Sequence, residues 1–271
     1  MPEIDRSEGR CAFGGDPDGY NRARPGYPQR IYDILGSRCE LQPGTRTFEI
    51  GPGTGQASRD LTRLGASPLV LIEPDQRLAD FLRREFRPTP ADSVIEVRNA
   101  TFEDVDLPAA SFDLGVAATS FHWLPVLPAL QKVARLLRPG GWWAMWWTVF
   151  GDPLRPDAFH LATQGVLGKL GRSPSAGNKD GPPYALDVDA RVAELGETGE
   201  FEAIAHEALR WTATLRSEQL RGLFATFSEI TRLEPAERQR VLDGIVRVAD
   251  EQFGGVIEKP LVTSIYTARR R

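Results

Sequence analysis

A glycine-rich segment preceded by an acid carries the clearest chemical signal in the sequence. Gly51, Gly53 and Gly55 occupy every second position, directly after the apolar Ile50. Glycine tolerates positive φ angles and has no Cβ, so this spacing lets backbone come close to a ligand. Glu49, two residues before the first glycine, would repel a phosphate and suits a cationic amino or sulfonium group. The segment therefore predicts a binding site for a ligand that carries a positive charge.

The spacing of the glycines separates two kinds of nucleotide site. A dinucleotide loop has the pattern G-x-G-x-x-G, which would put a third glycine at position 56. Position 56 is Gln56, and Pro52 removes one backbone N–H of the kind that holds a pyrophosphate. Both departures disfavour an NAD-dependent oxidoreductase and favour a nucleoside ligand without a pyrophosphate.

A second acid lies where a ribose would be held. The apolar run Leu69–Ile72 is typical of a buried strand and ends at Glu73, 22 residues after Gly51. In open α/β sheets an acid about 20 residues past the glycines accepts hydrogen bonds from ribose hydroxyl groups. A generic glycine turn and a solvated acid would explain the two segments separately. Their spacing favours one nucleoside site, which also includes Pro74.

These residues require an alternation of strands and helices to bring them together. Residues 45–50 predict a strand, and Leu61 and Leu64 place an apolar stripe on a following helix. Further strands are predicted at Leu69–Ile72, Val94–Val97, Ser111–Ala118, Trp142–Val149, Phe201–Thr212 and Leu261–Ala268. The pattern predicts one α/β domain over residues 1–271, with a Rossmann-like, seven-stranded, mostly parallel sheet and helices on both faces.

Several further motifs, taken with the glycine loop, resemble those of a known family. The motifs are Tyr20–Pro28, Ser111–Leu114, Phe121–Trp123 and Arg135–Gly141. From Tyr20 to about Trp147 the chain resembles class I S-adenosylmethionine (SAM)-dependent methyltransferases, especially the branch of trans-aconitate and juvenile-hormone-acid methyltransferases. The resemblance implies SAM as cofactor, an antiparallel last strand and an N-terminal cap formed by residues 1–40.

The resemblance also implies cofactor contacts outside the glycine loop. Tyr20 and Arg24 would close over the methionine end of SAM, and Arg24 would grip its carboxylate bidentately. The alternative for Arg24 is a surface arginine beside a proline turn. Phe102 would cover the adenine, and Thr101 or Glu103 would bind the edge of the base. A helix start capped by Thr101 is compatible with that role.

Acceptor residues are expected where the fourth strand ends, because ligands meet at the carboxyl ends of strands in such sheets. There Thr119 would contact the cofactor, and His122 and Trp123 the acceptor. Trp147, near the end of the fifth strand, would face the same pocket. His122 could remove a hydroxyl proton during attack, or it could simply pack beneath the cofactor. His160 is the competing base, and a carboxylate acceptor would need no base.

Residues 150–200 form a distinct segment between the fifth and sixth strands. An amphipathic pattern over Pro156–Leu170 is followed by Gly171–Pro183, which is rich in Gly, Pro and Ser, and by a short helix at Val188–Leu195. The segment predicts a helical lid over the acceptor, since closure would exclude water from the reacting groups. A plain linker is the alternative interpretation.

The predicted reaction is transfer of a methyl group from SAM to a small organic acceptor, with the oxygen of a hydroxyl or carboxylate preferred. A protein that binds SAM without methylating, such as a cyclase or a regulatory module, is the main alternative. The protein fits the composition of ordinary soluble domains, with 41% hydrophobic and 26% charged residues. The sequence does not predict the oligomeric state.

Charge and residue usage exclude several other partners. The net charge of −4 gives no electrostatic basis for binding nucleic acid or an anionic membrane. No apolar run is long enough to span a bilayer, and the first residues do not resemble a signal peptide. Cys11 and Cys39 have no metal or redox spacing, and the three histidines form no recognisable ligand set. We therefore expect a cytoplasmic protein without a bound metal.

Overall fold

The structure of the protein is a computed structural model that describes residues 13–87, 94–155, 157–167, 170, 174–177 and 181–271. Its strands are β1 Thr45–Ile50, β2 Ala66–Ile72, β3 Ile95–Arg98, β4 Phe112–Ala118, β5 Leu137–Val149, β6 Phe201–Arg216 and β7 Val256–Arg270. They form one sheet in the order β3-β2-β1-β4-β5-β7-β6. The first five strands of that order are parallel, and β7 is antiparallel to both of its neighbours.

Ten α-helices and three short 3-10 helices accompany this sheet in the described ranges. The α-helices are α1 Pro17–Ala23, α2 Gln29–Ser37, α3 Gln56–Arg63, α4 Gln76–Glu85, α5 Val126–Leu136, α6 Ala158–Leu167, α7 Val188–Glu197, α8 Ser217–Ala225, α9 Ser228–Thr231 and α10 Pro235–Phe253. The 3-10 helices are Phe121–Trp123, Pro174–Ala176 and Tyr184–Leu186. The Rossmann-like, seven-stranded architecture and the antiparallel last strand are thus confirmed.

Helices pack on both faces of the sheet, as the apolar stripes predict. On one face Leu130 of α5 and Leu195 of α7 join a core that contains Phe48 and Tyr266. The core of the other face is contributed by α2, α3 and α4. Both cores are needed because the central strands are apolar on both sides, so each face must be covered.

The sixth and seventh strands are longer than the sequence pattern indicates. They pair from Phe201–Arg270 to Arg216–Val256, whereas β7 pairs with β5 only over residues 262–269. Residues 256–261 of β7 therefore project with β6 beyond the end of β5 as a two-stranded arm. The arm packs against α6, α8 and α10 and forms a third hydrophobic core, to which Leu215 and Ile257 belong.

Other element boundaries also differ from the prediction. Strand β5 begins at Leu137 rather than Trp142, directly after helix α5. Helix α1 was not predicted; Asp16 caps it by accepting a hydrogen bond from the Gly19 N–H at 2.8 Å.

The two helices in residues 150–200 belong to different cores. Phe159 of α6 packs in the third core, while Leu195 of α7 packs on the sheet. Residues 171–173 and 178–180 of the predicted loop Gly171–Pro183 lie outside the described residues. Closure of this segment over a ligand stays a prediction.

Candidate cofactor and acceptor site

A cavity of about 790 Å³ lies at the carboxyl ends of β1, β2, β4 and β5. Its wall contains most of the site residues that the sequence predicts: Tyr20, Arg24, Glu49, Gly51, Gly53, Glu73, Pro74, Phe102, Thr119, His122, Trp123, Trp147 and His160. Gly55, Thr101 and Glu103 lie outside the wall. The fold thus brings the cofactor and acceptor candidates into one space, at the sheet edge where open α/β sheets bind ligands.

The three glycines of the loop after β1 have different reasons to be glycine. All have positive φ, with values of 63° at Gly51, 60° at Gly53 and 77° at Gly55. A Cβ at Gly51 would lie 2.7 Å from the Cβ of Ser120, and one at Gly55 would lie 2.5 Å from the ring of Phe86. A Cβ at Gly53 would meet nothing within 4 Å. Gly51 and Gly55 are therefore fixed by protein packing, whereas Gly53 leaves space open towards the cavity.

Glu73 is held rigidly at the end of β2. Its Oε2 accepts a hydrogen bond from the Gly53 N–H at 3.0 Å, and its Oε1 accepts one from the Asp75 N–H at 3.0 Å. The residue is 3% exposed, and burial raises the pKa of its carboxyl group to about 8. Two backbone donors therefore fix its orientation in the wall, while each oxygen retains a lone pair that a hydroxyl group could use.

Glu49 is fully buried at the end of β1, and only one of its two carboxyl oxygens has a hydrogen-bond partner among the described residues. Ser58 Oγ donates to its Oε2 at 2.6 Å, while Oε1 has no hydrogen-bond partner among the residues that the structure describes. Burial raises the pKa of this carboxyl group to about 7. A buried acceptor without a partner is costly, so it indicates a group that the protein itself does not supply. The carboxylate fits a cationic amino group placed in the cavity.

Arg24 is engaged with the protein in a way that the sequence did not reveal. Its Nε donates to Thr226 Oγ1 at 2.8 Å and its Nη2 to the Thr226 carbonyl at 3.2 Å. Its guanidinium lies 4.9–5.2 Å from the ring centres of Tyr20, Phe150 and Phe227. No carboxylate among the described residues pairs with it. The two bonds to Thr226 use two of the five N–H donors of the guanidinium, so one on Nη2 and two on Nη1 remain for a ligand carboxylate, and that contact stays a prediction.

Of the three residues predicted to contact adenine, Phe102 lines the cavity, whereas Thr101 and Glu103 do not. Phe102 lines it but is 2% exposed and stacked on Phe48, with ring centres 6.2 Å apart. Thr101 Oγ1 donates to Asp104 Oδ2 at 2.6 Å and accepts from the Asp104 N–H at 3.2 Å. Thr101 is thus a local cap, and its contact with adenine, like that of Glu103, stays a prediction.

The end of β4 is shaped by a residue in the left-handed region. Thr119 has a φ of 58°, its N–H donates to the Trp146 carbonyl at 2.7 Å, and its Oγ1 lies 3.1 Å from the Tyr27 hydroxyl. Burial raises the pKa of Tyr27 above its usual range, so its hydroxyl stays protonated. Tyr27 belongs to the cavity wall and was missed, although it lies inside the motif Tyr20–Pro28.

His122 is placed in the wall, and its hydrogen bond bears on the role predicted for it. The Trp147 indole donates from Nε1 to His122 Nδ1 at 3.0 Å, and both side chains are buried. An indole N–H can only donate, so Nδ1 must be unprotonated and Nε2 carries the proton of the neutral ring. A neutral ring in this tautomer offers no lone pair towards an acceptor. The arrangement favours the alternative interpretation, in which His122 is a buried, oriented part of the wall, and the general-base role stays a prediction.

Two further residues, His160 and Lys259, line the end of the cavity where the acceptor is expected, called the acceptor end below; its outer wall, formed by α6 and the β6–β7 arm, is called the roof. His160, on α6, is exposed, and its Nε2 lies 2.9 Å from Gln164 Nε2. Lys259, on the β6–β7 arm, was not singled out from the sequence and is paired with Asp157 at 2.9 Å. A single lysine between Glu258 and Pro260, just before an apolar strand, was the only sequence signal for it.

Neither a metal site nor a membrane-spanning helix is found in the described ranges. Within them no group of three or more His, Cys, Asp or Glu residues is arranged to hold a metal ion. Nor does any described helix combine the length and apolar character needed to cross a membrane.

The strand order, the glycine loop after β1 and the acid after β2 define the class I SAM-dependent methyltransferase fold. Comparisons with known proteins agree. Residues 48–145 match the family model described as a methyltransferase domain. An uncharacterized methyltransferase of Mycobacterium bovis is 28% identical over 240 residues, which cover 89% of this chain and 86% of that protein. The chain is an enzyme of the SAM-dependent methyltransferase class.

Two solved structures show how widely this fold is used. The phosphoethanolamine N-methyltransferase 2 of Haemonchus contortus, solved with phosphomonomethylethanolamine and S-adenosylhomocysteine, has a TM-score of 0.56 at 12% identity, covering 94% of this chain and 57% of that one. The cyclase SpnF has a TM-score of 0.57 at 17% identity, covering 99% and 97%. At such identities the similarity concerns the fold alone.

Proposed function

We propose that this protein binds SAM in the cavity and transfers its methyl group to an oxygen atom of a small organic acceptor. The observation that carries the proposal is the buried Oε1 of Glu49, which has no partner and belongs to the cavity wall beside the open space at Gly53. A cationic ligand that needs close backbone approach would satisfy both features. The amino group and nucleoside of SAM meet these requirements.

Each part of the cofactor has a candidate partner in the wall. Glu73 would accept hydrogen bonds from the ribose hydroxyl groups, because its two oxygens are already oriented by backbone donors. Glu49 would face the methionine amino group, and the Nη1 of Arg24, beside Tyr20, its carboxylate. Pro74 and the edge of Phe102 would border the adenine. Cavities of this size suit a drug-sized ligand, so about 790 Å³ leaves room for an acceptor as well.

When bound, SAM supplies a sulfonium methyl group, and displacement by the acceptor oxygen forms a C–O bond, breaks the S–C bond and leaves S-adenosylhomocysteine. The role of the protein is then mainly to position the two reactants and to exclude water. The hydrogen bond from Trp147 leaves His122 without the lone pair of a base. A carboxylate acceptor needs no base, whereas for a hydroxyl acceptor His160 remains the candidate.

The motifs Phe121–Trp123 and Arg135–Gly141 support placing the protein near the trans-aconitate and juvenile-hormone-acid branch, as part of the same proposal. The trans-aconitate and juvenile-hormone-acid methyltransferases act on carboxylic acids, as their names say, which agrees with an oxygen acceptor.

Calorimetric titration of SAM, S-adenosylhomocysteine and NAD against the purified protein tests the cofactor. We expect the first two to bind and NAD to fail, because the loop lacks the third glycine of a dinucleotide site. Transfer of a labelled methyl group to a library of small acids and alcohols tests the reaction. Binding of SAM without any transfer would instead favour a cyclase or regulatory module, a possibility that the shared fold of the cyclase SpnF keeps open.

A further inference from the structure

One charged side chain in the cavity wall has no part in the proposed cofactor site. Lys259 lies on the β6–β7 arm, beyond the residues of β7 that pair with β5. Its side chain is 3% exposed and lines the cavity. Its Nζ donates to Asp157 Oδ2 at 2.9 Å and lies 6.0 Å from the ring centre of Phe159. A buried ammonium group therefore sits in the roof of the acceptor end.

The hydrogen bonds of this ammonium group are incomplete. A lysine has three N–H donors, and Asp157 is its single hydrogen-bond partner among the described residues. The other oxygen of Asp157, Oδ1, accepts the N–H of His160 and caps α6. A buried charge is normally compensated by further hydrogen bonds, because desolvation is expensive. Among the described residues, Lys259 thus keeps donors that a molecule in the cavity could use.

The surroundings of Lys259 indicate what kind of molecule this is. The wall around Lys259 combines apolar side chains, such as Phe150, Leu167, Phe224 and Phe227, with the neutral polar side chains of Thr163 and Gln164. Arg24 is already bonded to Thr226. Glu229 also lines this end, but it is partly exposed to solvent and accepts a hydrogen bond from Ser228. The buried charge with unused hydrogen-bond donors at this end is therefore the ammonium group of Lys259, and large apolar side chains lie near it.

We propose that Lys259 is the anchor for a carboxylate on the methyl acceptor, so that the substrate class is a small carboxylic acid with an apolar or aromatic body. An ammonium–carboxylate hydrogen bond is charge-assisted and gains strength away from water. Lys259 acts as a positioning residue and does not exchange a proton. This inference rests on the proposed function, because it concerns the acceptor of the same cavity.

The alternative role of Lys259 is structural, since its pair with Asp157 ties α6 to the arm. Three variants separate the two roles. Lys259→Met removes the anchor and leaves Asp157 unpaired, whereas the double variant Lys259→Met/Asp157→Asn removes both charges and keeps a capping oxygen for α6. Asp157→Asn keeps Lys259 and removes its competitor. A purely structural tie predicts similar losses in all three variants, because each one breaks the ion pair.

The probes are three molecules with the same ring: phenylacetate, phenethylamine and phenethyl alcohol. Each is titrated calorimetrically into the protein saturated with S-adenosylhomocysteine. For the wild type we expect phenylacetate to bind about 10-fold or more tightly than the other two. Both variants without Lys259 should lose about 10- to 100-fold in affinity for phenylacetate, while Asp157→Asn should retain or improve it. Thermal unfolding of every variant checks that it is folded.

Several outcomes would overturn the anchor. They are tighter binding of the amine, equal binding of all three probes, no binding of any probe, or equal loss of phenylacetate affinity in Asp157→Asn and the variants that lack Lys259. Failure of the proposed function is seen separately, as a wild-type protein that does not bind SAM or S-adenosylhomocysteine. Normal binding of S-adenosylhomocysteine without discrimination among the probes would reject only the assignment of Lys259.

Discussion

The two ends of the cavity are built in different ways. At the cofactor end the key groups lie between Glu49 and Asp75, a single β-α-β stretch, and backbone N–H groups hold the Glu73 carboxylate in place. At the acceptor end the groups come from α6, the β6–β7 arm and α8, and side chains hold one another, as in Lys259–Asp157. Local backbone therefore fixes the cofactor end, while long-range packing fixes the acceptor end. Substitutions at the first should act on SAM, and those at the second on the acceptor.

The largest expected effect is the loss of SAM affinity on substitution of Gly53 in the glycine loop. In Gly53→Val a side chain would enter the open space beside Glu73, and we expect a loss of SAM affinity of at least about 100-fold, or about 2.7 kcal/mol. The positive φ adds a folding cost of about 1–2 kcal/mol. Gly44→Val is the matched control, since Gly44 has a φ of 87°, no neighbour within 4 Å of a Cβ and no place in the cavity wall. Calorimetry of both variants gives the comparison, and equal SAM affinity in both would remove Gly53 from the site.

The next effect concerns the acid at the end of β2. Glu73→Ala should weaken SAM binding by about 1.5–3 kcal/mol, the range for a hydrogen bond to a charged group. Glu73→Gln keeps the shape and one acceptor oxygen, so it should lose less. Both variants are measured by titration of SAM, with unfolding curves as the control for stability. An unchanged dissociation constant in folded Glu73→Ala would contradict the ribose assignment.

A pH effect of similar or smaller size is expected without ligand. Burial raises the pKa of Glu49 from 4.5 to about 7, so the folded protein holds a proton that the unfolded chain releases. This contribution to stability is complete below about pH 4.5 and is lost as the pH rises through 7. Glu49 alone should reduce the free energy of unfolding by on the order of 2 kcal/mol between pH 5.5 and 8. Denaturant unfolding of the wild type and of Glu49→Gln measures it, because the variant lacks this proton.

Glu73, with a pKa of about 8, adds a second loss over a higher range of pH. The comparison uses the difference between wild type and Glu49→Gln, so titrating groups that do not interact with Glu49 cancel, whereas part of the Glu73 shift is caused by Glu49 and is lost in the variant. Parallel curves for the two proteins would show that Glu49 is ionised in the folded state throughout.

The smallest effect is expected at His122. If its proton lies on Nε2, as the bond from Trp147 requires, His122→Gln should keep turnover within about tenfold of the wild type and leave the pH–rate profile in place. A base would instead cost about 100- to 10,000-fold. Rates are measured from pH 6 to 9 with the acceptor found in the library assay. A drop in that larger range, with SAM affinity unchanged, would restore His122 as the base.

The difference between the two ends also determines which site residues could be predicted from the sequence. The glycine loop, Glu49 and Glu73 were predicted because their spacing lies within one local unit whose geometry is common to many proteins. The seven strands were predicted from apolar runs, but the arm of β6 and β7 was not. In the arm these two strands pair only with each other and pack against α6, α8 and α10, so the pattern of a strand inside the sheet is missing.

The acceptor end could not be predicted in the same way. Lys259 and Asp157 are separated by 102 residues, so no local pattern relates them. His122 was recognised as part of the wall, but its role depends on which atom Trp147 donates to, and only the side-chain geometry gives that. Tyr27 could have been found, since it lies in the same motif as Tyr20 and Arg24.

The position of β7 has a consequence for the way the chain is made. Strand β6 has no neighbour in the sheet other than β7, yet about 40 residues that form α8 to α10 are synthesised between the two. At ribosomal rates of about 5–20 residues per second, this interval lasts roughly 2–8 s. Throughout it, β6 is a 16-residue strand with both edges unpaired, on a nascent chain whose other strands can already associate. The same insertion that completes the arm above the cavity therefore delays the pairing of β6 until β7 has been made.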